Sequence, residues 1–134
     1  LGVIDRIEAG TARPEPQDHA RSTYAPRLTK DEGRIDWTLP AGAIHNRVRG
    51  LQPWPLASTS LDGERIILRQ TRVLPAEAPG APGAIVEAAG DALHVATGGG
   101  GRLAVEQLQT EGRRPMSARA FLAGRRLAPG ARFT

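Results

Sequence analysis

Apolar residues recur at helical spacing in one short segment in the first half of the chain. Ile44, Val48 and Leu51 follow i, i+4, i+7 spacing, which places them on one face of a helix. Thr38 precedes this stripe and is the expected N-cap, and Pro53 follows it and should stop the helix because proline lacks a backbone N–H. The pattern therefore predicts a short amphipathic helix that packs on a neighbouring element.

After this helix the pattern changes to the alternation that is typical of β-strands. Ile66 and Leu68 fall on one side of a predicted strand over residues 65–73, and Arg65 and Arg69 fall on the other. Five strands are predicted, over 57–61, 65–73, 84–88, 92–97 and a last segment through Leu103, Val105 and Leu108. They are separated by predicted turns at Asp62-Gly63, Gly90-Asp91 and Gly98–Gly101 and by a loop over Pro75–Pro82. Short strands at this spacing predict a small OB-like β-barrel.

Both ends of the chain carry a short helical signal. Residues 1–9 place apolar side chains at helical spacing, and Gly10 follows as the expected C-cap. Near the other end Ser117 is the expected N-cap of a helix that ends at Gly124. The predicted fold class is α+β, mainly β: a five-stranded OB-like β-barrel with short flanking helices and an N-terminal linker.

The same pattern predicts three regions along the chain. Residues 1–10 are expected to be the end of a helix from an upstream domain that this chain lacks, although a frayed terminus is an alternative. Residues 11–34 are rich in Pro, Asp, Arg and Thr and are predicted to be an interdomain linker, held down by Tyr24 and Leu28. Residues 35–134 are the predicted barrel domain.

Charge is segregated along the chain, which has a net charge of +4 and a sequence pI near 10.9. Residues 37–73 hold five basic and two acidic side chains, and residues 102–134 hold seven and two. Residues 74–101 hold three acidic side chains and no basic one. A segregated basic surface favours a polyanionic partner such as nucleic acid.

Several kinds of chemistry are disfavoured by the sequence. The chain has no cysteine, no G-x-S-x-G motif and no apolar run of roughly 18 residues, so disulfide scaffolds, that serine nucleophile and a membrane span are not expected. His19, His45 and His94 are too scattered to predict a metal site. Strand patterns on both sides of Gly98–Gly101 indicate a hairpin loop and not a phosphate-binding loop.

Three motifs in order resemble a known family. They are Asp36-Trp37, Asn46-Arg47-Val48-Arg49 and Pro53-Trp54-Pro55. A second block agrees, with Ala96-Thr97-Gly98, Leu108-Gln109, Gly112-Arg113-Arg114, Met116, Phe121-Leu122 and Gly124, as do Gln17, Thr23-Tyr24-Ala25 and Leu28. Over nearly its whole length the chain resembles the C-terminal domain of methionyl-tRNA formyltransferases.

The resemblance implies a role in a larger enzyme. Enzymes of that family transfer a formyl group from 10-formyltetrahydrofolate to the methionyl amine of initiator tRNA, using an Asn, His and Asp set in an N-terminal catalytic domain. His45-Asn46 lies outside that motif context, so no catalytic, cofactor-binding or metal residue is expected here, and the chain alone should be inactive. The implied partners are initiator methionyl-tRNA and the N-terminal catalytic domain, with no membrane, in the cytoplasm.

Arginines are the candidate tRNA-binding residues. The set is Arg47, Arg49, Arg65, Arg69, Arg113, Arg114, Arg125 and Arg126. Arg113 and Arg114 match the paired basic residues of the family's Gly-basic-basic-x-Met motif, and they are expected in a loop. Trp37 and Trp54 bracket the predicted helix and are expected to pack it against the barrel.

Two other functions remain open at this stage. One is the C-terminal domain of a nucleotide-sugar formyltransferase, which would not need a basic C-terminal third. The other is a free-standing OB-fold module for single-stranded nucleic acid, which would require exposed aromatic side chains on its strands. The predicted strands between Ala57 and Gln109 contain no Phe, Tyr or Trp, which counts against the second alternative.

Overall fold

The computed structural model describes residues 2–75, 80–128 and 130–134. Its elements are α1 (Gly2–Glu8), α2 (Ala41–Gly50), β1 (Ala57–Leu61), β2 (Glu64–Leu74), β3 (Ile85–Ala89), β4 (Ala92–Ala96), β5 (Arg102–Thr110), β6 (Met116–Ser117) and α3 (Ala118–Gly124). Single 3-10 turns lie at His19–Arg21 and Asp31–Gly33. The five predicted strands and three predicted helices are confirmed, whereas β6 has no counterpart in the sequence pattern. The predicted Pro75–Pro82 loop includes residues 76–79, which lie outside the described ranges.

The strands form one antiparallel sheet. Their order is β1-β2-β5-β4-β3, and β6 pairs with β5. The turn between β1 and β2 places Asp62 at φ 52° and Gly63 at φ 82°, the left-handed conformations that Asp-Gly hairpin turns favour. Within the described residues the edge strands β1 and β3 do not pair with each other. The α+β, mainly β class is therefore confirmed, but the sheet is open and closure into a barrel is not.

The core lies between α2 and the inner face of this sheet. Ile44 and Val48 of α2 are buried, as their helical spacing predicts, and they share one cluster with Ile66, Leu68 and the other inward side chains. Such a stripe stabilises the helix mainly by removing apolar surface from water, at about 25 cal/mol per Å². Docking on the sheet therefore maintains a ten-residue helix that would be marginal alone.

Trp37 joins the start of the domain to its C-terminal residues. Its ring is buried and stacks on Phe133, with 5.6 Å between ring centroids, and its Nε1–H donates to Thr59 Oγ1 at 2.9 Å. The Thr59 hydroxyl in turn donates to the Thr134 carbonyl oxygen at 3.0 Å. The packing role expected for Trp37 is confirmed, and its partner Phe133 is a core residue that the sequence pattern did not indicate.

The beginning of α2 differs from the prediction. The helix starts at Ala41, and Pro40 occupies the N-cap position in place of Thr38. The Asp36 carboxylate accepts hydrogen bonds from the Thr38 hydroxyl at 2.6 Å and the Thr38 N–H at 2.9 Å. Thr38 is therefore held in a turn ahead of the helix, and these hydrogen bonds, the hydroxyl's first, lower the pKa of Asp36.

The N-terminal segment attaches at its end and not at the residues expected to hold it. Tyr24 and Leu28 are exposed, so the predicted anchoring by these two side chains is wrong. Instead the Ile35 N–H donates to the Ser58 carbonyl at 2.8 Å, and the Ile35 side chain is buried. Backbone pairing supplies this attachment, and hydrophobicity along residues 11–34 carries no signal for it.

Candidate nucleic-acid interface

Strands β1, β2 and β5 present a polar outer face on the side away from the core. Since side chains alternate along a strand, Ile66 and Leu68 point inward while Arg65 and Arg69 point outward. The register places further polar residues beside them, with Ser60 opposite Arg65, Ser58 opposite Ile67 and Gln109 opposite Ile67 on β5. The outer face therefore combines guanidinium groups with hydroxyl and amide groups.

One part of this face is a groove of about 360 Å³ beside β1. Lys30, Arg34 and Arg65 line it together with Ser58 and one acidic residue, Asp31. Arg34 reaches the groove because its backbone forms a parallel bridge to Ser58. The linker end thus contributes two positive charges that the sequence analysis did not select as candidates, and their position in a polar linker gave no signal for that role.

A second groove, of about 510 Å³, lies between α2 and the β2–β5 pair. Arg49 of α2 and Arg69 of β2 line it, and His45, Gln52 and Gln107 contribute polar groups. Among the described residues that line this groove, none carries a carboxylate. The two grooves are adjacent because Arg65 and Arg69 lie on the same side of β2.

We call the set Lys30, Arg34, Arg49, Arg65 and Arg69 the basic face. In the part of the chain that the structure describes, none of its five cations lies within 4.0 Å of a carboxylate oxygen. By contrast, the neighbouring Arg72 pairs with Glu106 at 2.7 Å. The positive charge of the basic face is therefore not neutralised internally and is available to a polyanion.

Two of the predicted arginines are used inside the fold. Arg47 is half-buried, and its Nε–H donates to the Glu32 carbonyl oxygen at 3.1 Å, which ties the linker to α2. Arg125 pairs with Glu64 at 2.6 Å and with Asp62 at 3.1 Å. These contacts give both residues structural roles, and their prediction as tRNA-binding residues stays a prediction.

The other three candidates lie near the C-terminal end. Arg113 and Arg114 are exposed in the loop between β5 and β6, as expected, and Gln109 Nε2 donates to the Arg113 carbonyl at 2.8 Å. Arg126 is exposed beside Arg125 after α3. They form a basic region apart from the basic face, so the structure divides the predicted set in two.

Trp54 does not have the packing role expected from the sequence. Its side chain is 50 % exposed, whereas that of Trp37 is 5 % exposed. In the turn after α2 the neighbouring Pro55 is buried against the Gly33 region, which turns Trp54 towards solvent. The shared Trp/Pro motif thus contains one core residue and one surface residue.

The histidines show no arrangement for metal chemistry. His94 Nδ1 lies 2.8 Å from Glu87 Oε2, and His45 Nδ1 lies 3.1 Å from Thr71 Oγ1. Across residues 2–75, 80–128 and 130–134 no group of three or more His, Cys, Asp or Glu side chains is arranged to hold a metal ion. The helices in those ranges also lack the length and apolarity needed to cross a bilayer.

Comparison with known sequences identifies relatives over almost the whole chain. The model of the formyl transferase C-terminal domain family matches residues 27–126. The methionyl-tRNA formyltransferase of Geobacter metallireducens is 46% identical over 131 residues, which is 98% of this chain and 41% of that protein. That of Solibacter usitatus is 47% identical over 121 residues, or 90% of this chain and 38% of that protein. The chain therefore spans about two fifths of the length of these relatives.

Solved structures show the same fold. HypX from Aquifex aeolicus, in a variant form, superposes with a TM-score of 0.63 at 19% identity, covering 92% of this chain and 22% of that one. HypX in complex with tetrahydrofolic acid gives a TM-score of 0.59 at 19% identity, covering 89% and 21%. At this identity the likeness establishes the fold alone.

Proposed function

Because the chain belongs to the formyl transferase C-terminal domain family, we propose that it is the tRNA-binding part of a methionyl-tRNA formyltransferase. The identities of 46% and 47% to enzymes of that name support this assignment. The observation that carries the binding role is the basic face, whose cations have no internal counterions among the described residues. Structured RNA is the polyanion that such an enzyme would present to it.

The proposed parent enzyme works in translation initiation in the cytoplasm. Its catalytic domain would precede residue 11, and residues 11–34 would link that domain to residues 35–134. The catalytic domain would bind 10-formyltetrahydrofolate and transfer the formyl group to the methionyl amine of initiator tRNA. The tethered C-terminal domain would raise the effective concentration of that amine near the folate, to the order of millimolar for a short flexible linker.

We also infer that the sheet curves towards an OB-like barrel. Isolated bridges support this, since Leu61 pairs with Phe133 and Ala84 pairs with Arg132. The C-terminal residues thus contact β1 at one edge of the sheet and the segment before β3 at the other. A chain segment between the two edges would close the barrel without a full strand and would cover their unpaired backbone groups.

The outer face favours structured RNA over single strands. Residues that line its two grooves are basic or mostly polar, and no aromatic side chain is among them. Single-strand binders need aromatic platforms on which bases stack. Cations beside hydroxyl and amide groups suit contacts to phosphate and ribose, which is how double-stranded RNA is mostly recognised.

Catalysis is expected to require the rest of the enzyme. We expect this chain, incubated with methionylated initiator tRNA and 10-formyltetrahydrofolate, to give no formylmethionyl-tRNA above a protein-free control. Formyl transfer needs a folate pocket, oxyanion stabilisation and proton transfer, which the catalytic domain would supply. Turnover by the purified chain would contradict the assignment of residues to separate catalytic and binding domains.

tRNA binding is expected to be weak and salt-sensitive. In an anisotropy titration with labelled initiator tRNA, log K should fall linearly with log salt, by about 0.7–0.9 for each phosphate contacted. The variant Arg113→Ala/Arg114→Ala should lower the slope by about 1 for each lost contact and leave the melting temperature unchanged, because both side chains are exposed in a loop. Salt-independent binding, or a preference for unstructured single strands, would instead favour a free OB module. An unchanged slope in the variant would confine binding to the basic face.

A further inference from the structure

The groove between α2 and the β2–β5 pair differs from the rest of the outer face in being a closed set of fixed donors. Arg49 and Arg69 supply two guanidinium groups, and Gln70 and Gln107 supply amides. Val48 is the apolar residue among those that line the groove. Guanidinium and amide N–H groups without a carboxylate nearby form an environment that suits a phosphate oxygen.

Hydrogen bonds between the two walls hold the width of this groove. Gln52 Nε2 donates to the Val48 carbonyl at 3.3 Å and to the Arg69 carbonyl at 2.8 Å, which joins the end of α2 to β2. His45 Nδ1 lies 3.1 Å from the hydroxyl of Thr71, and Thr71 is buried. The walls are therefore set by the fold, so an anion that enters finds its partners already in place.

An irregularity in the sheet forms the floor. The pairing of β2 with β5 shifts register between Leu68 and Gln70 and again between Gln70 and Thr71. Such bulges redirect side chains and often occur beside functional sites. Here the bulge places Gln70 opposite Gln107, and both line the groove together with Arg69.

The contact between His45 and Thr71 also orients the imidazole. With Nδ1 engaged by the Thr71 hydroxyl, the second ring nitrogen, Nε2, is left for another partner in the groove. When the hydroxyl donates to Nδ1, the neutral ring carries its proton on Nε2 and can donate it. His45 thus adds a third donor to the two guanidinium groups.

We propose that this groove is a seat for one phosphate group of the RNA backbone, bound by Arg49 and Arg69 with His45 as a third donor. The proposal rests on the proposed function, because it assigns a defined subsite to the tRNA that the domain would bind. The seat fixes the register of the RNA on the outer face, since phosphate contacts position a protein without reading sequence.

The first test compares the double variant Arg49→Gln/Arg69→Gln with Arg72→Gln. Arg72 lies on the same strand but pairs with Glu106 and does not line the groove, so it is a matched control. The double variant should lower the salt slope of tRNA binding by about 1, and Arg72→Gln should leave it unchanged. Thermal melts establish that each variant folds. An unchanged slope in the double variant would overturn the seat and leave tRNA binding by the domain intact.

The second test uses inorganic phosphate and does not depend on tRNA. In NMR spectra of the whole chain, phosphate should shift the ring signals of His45 more than sodium chloride of equal ionic strength does. His19, in the N-terminal segment, and His94, on β4, serve as internal references. The shift should disappear in Arg49→Gln/Arg69→Gln. Equal shifts at all three histidines, or none at His45, would overturn the seat, while a chain that shows this shift but binds no tRNA would contradict the proposed function alone.

Discussion

Gly98→Ala is expected to lower the free energy of unfolding by roughly 3 kcal/mol or more, at or above the upper range for overpacked sites. A Cβ atom on Gly98 would lie 1.6 Å from the Thr38 carbonyl oxygen, which belongs to the backbone and cannot rotate away. The Gly98 N–H also donates to the Trp37 and Leu39 carbonyls, at 2.9 Å and 3.0 Å. Relief of the clash would therefore break the contact that holds the start of α2 beside the turn after β4.

Gly42→Ala is the matched control for this prediction. Gly42 lies on the exposed side of α2, and a Cβ there would have no heavy atom within 4 Å. Alanine should leave stability unchanged or raise it by up to about 1 kcal/mol, because it is the better helix former. Urea unfolding of both variants measures the difference. Similar midpoints for the two would mean that the close approach of Gly98 to Thr38 does not constrain the fold.

Trp37→Ala is expected to cost roughly 3–5 kcal/mol, the usual range for loss of a large buried aromatic side chain. The substitution removes the stack on Phe133 and leaves Thr59 without its donor. Trp37→Phe should cost less, since it keeps an aromatic ring against Phe133 and loses the hydrogen bond. Denaturant unfolding monitored by circular dichroism measures these changes without depending on tryptophan fluorescence.

Trp54→Ala provides the comparison within the same motif. With half of its side chain in solvent, Trp54 should contribute less than about 2 kcal/mol. A loss as large as that for Trp37 would contradict the exposed position of the ring. If Trp54→Ala remained stable but bound tRNA more weakly, the exposed ring would be assigned to base stacking, a contact worth about 1–3 kcal/mol.

Local signals in the sequence determined the elements of this protein. The spacing of Ile44 and Val48 specified a helix with one buried face, and alternation specified β1 to β5 to within about two residues at each end. Asp62-Gly63 specified a hairpin because those residue types accept the backbone conformation that the turn requires. Ser117 was identified as an N-cap, and its hydroxyl accepts from the Ala120 N–H at 3.2 Å. Each of these features depends on residues close together in the chain, which is why a single sequence contains them.

Long-range contacts decided which residues share a surface. The Lys30–Arg34 end of the linker reaches Arg65 only because Ile35 pairs with Ser58 in the sheet, and no local pattern encodes that pairing. Arginines of identical chemistry took different roles, since the Glu32 carbonyl captured Arg47 while Arg49, two residues on, lines an open groove. Side-chain periodicity reports which face of an element is buried. It does not report which other element covers that face or which carboxylate lies within reach of a cation, because both depend on where the chain returns in space.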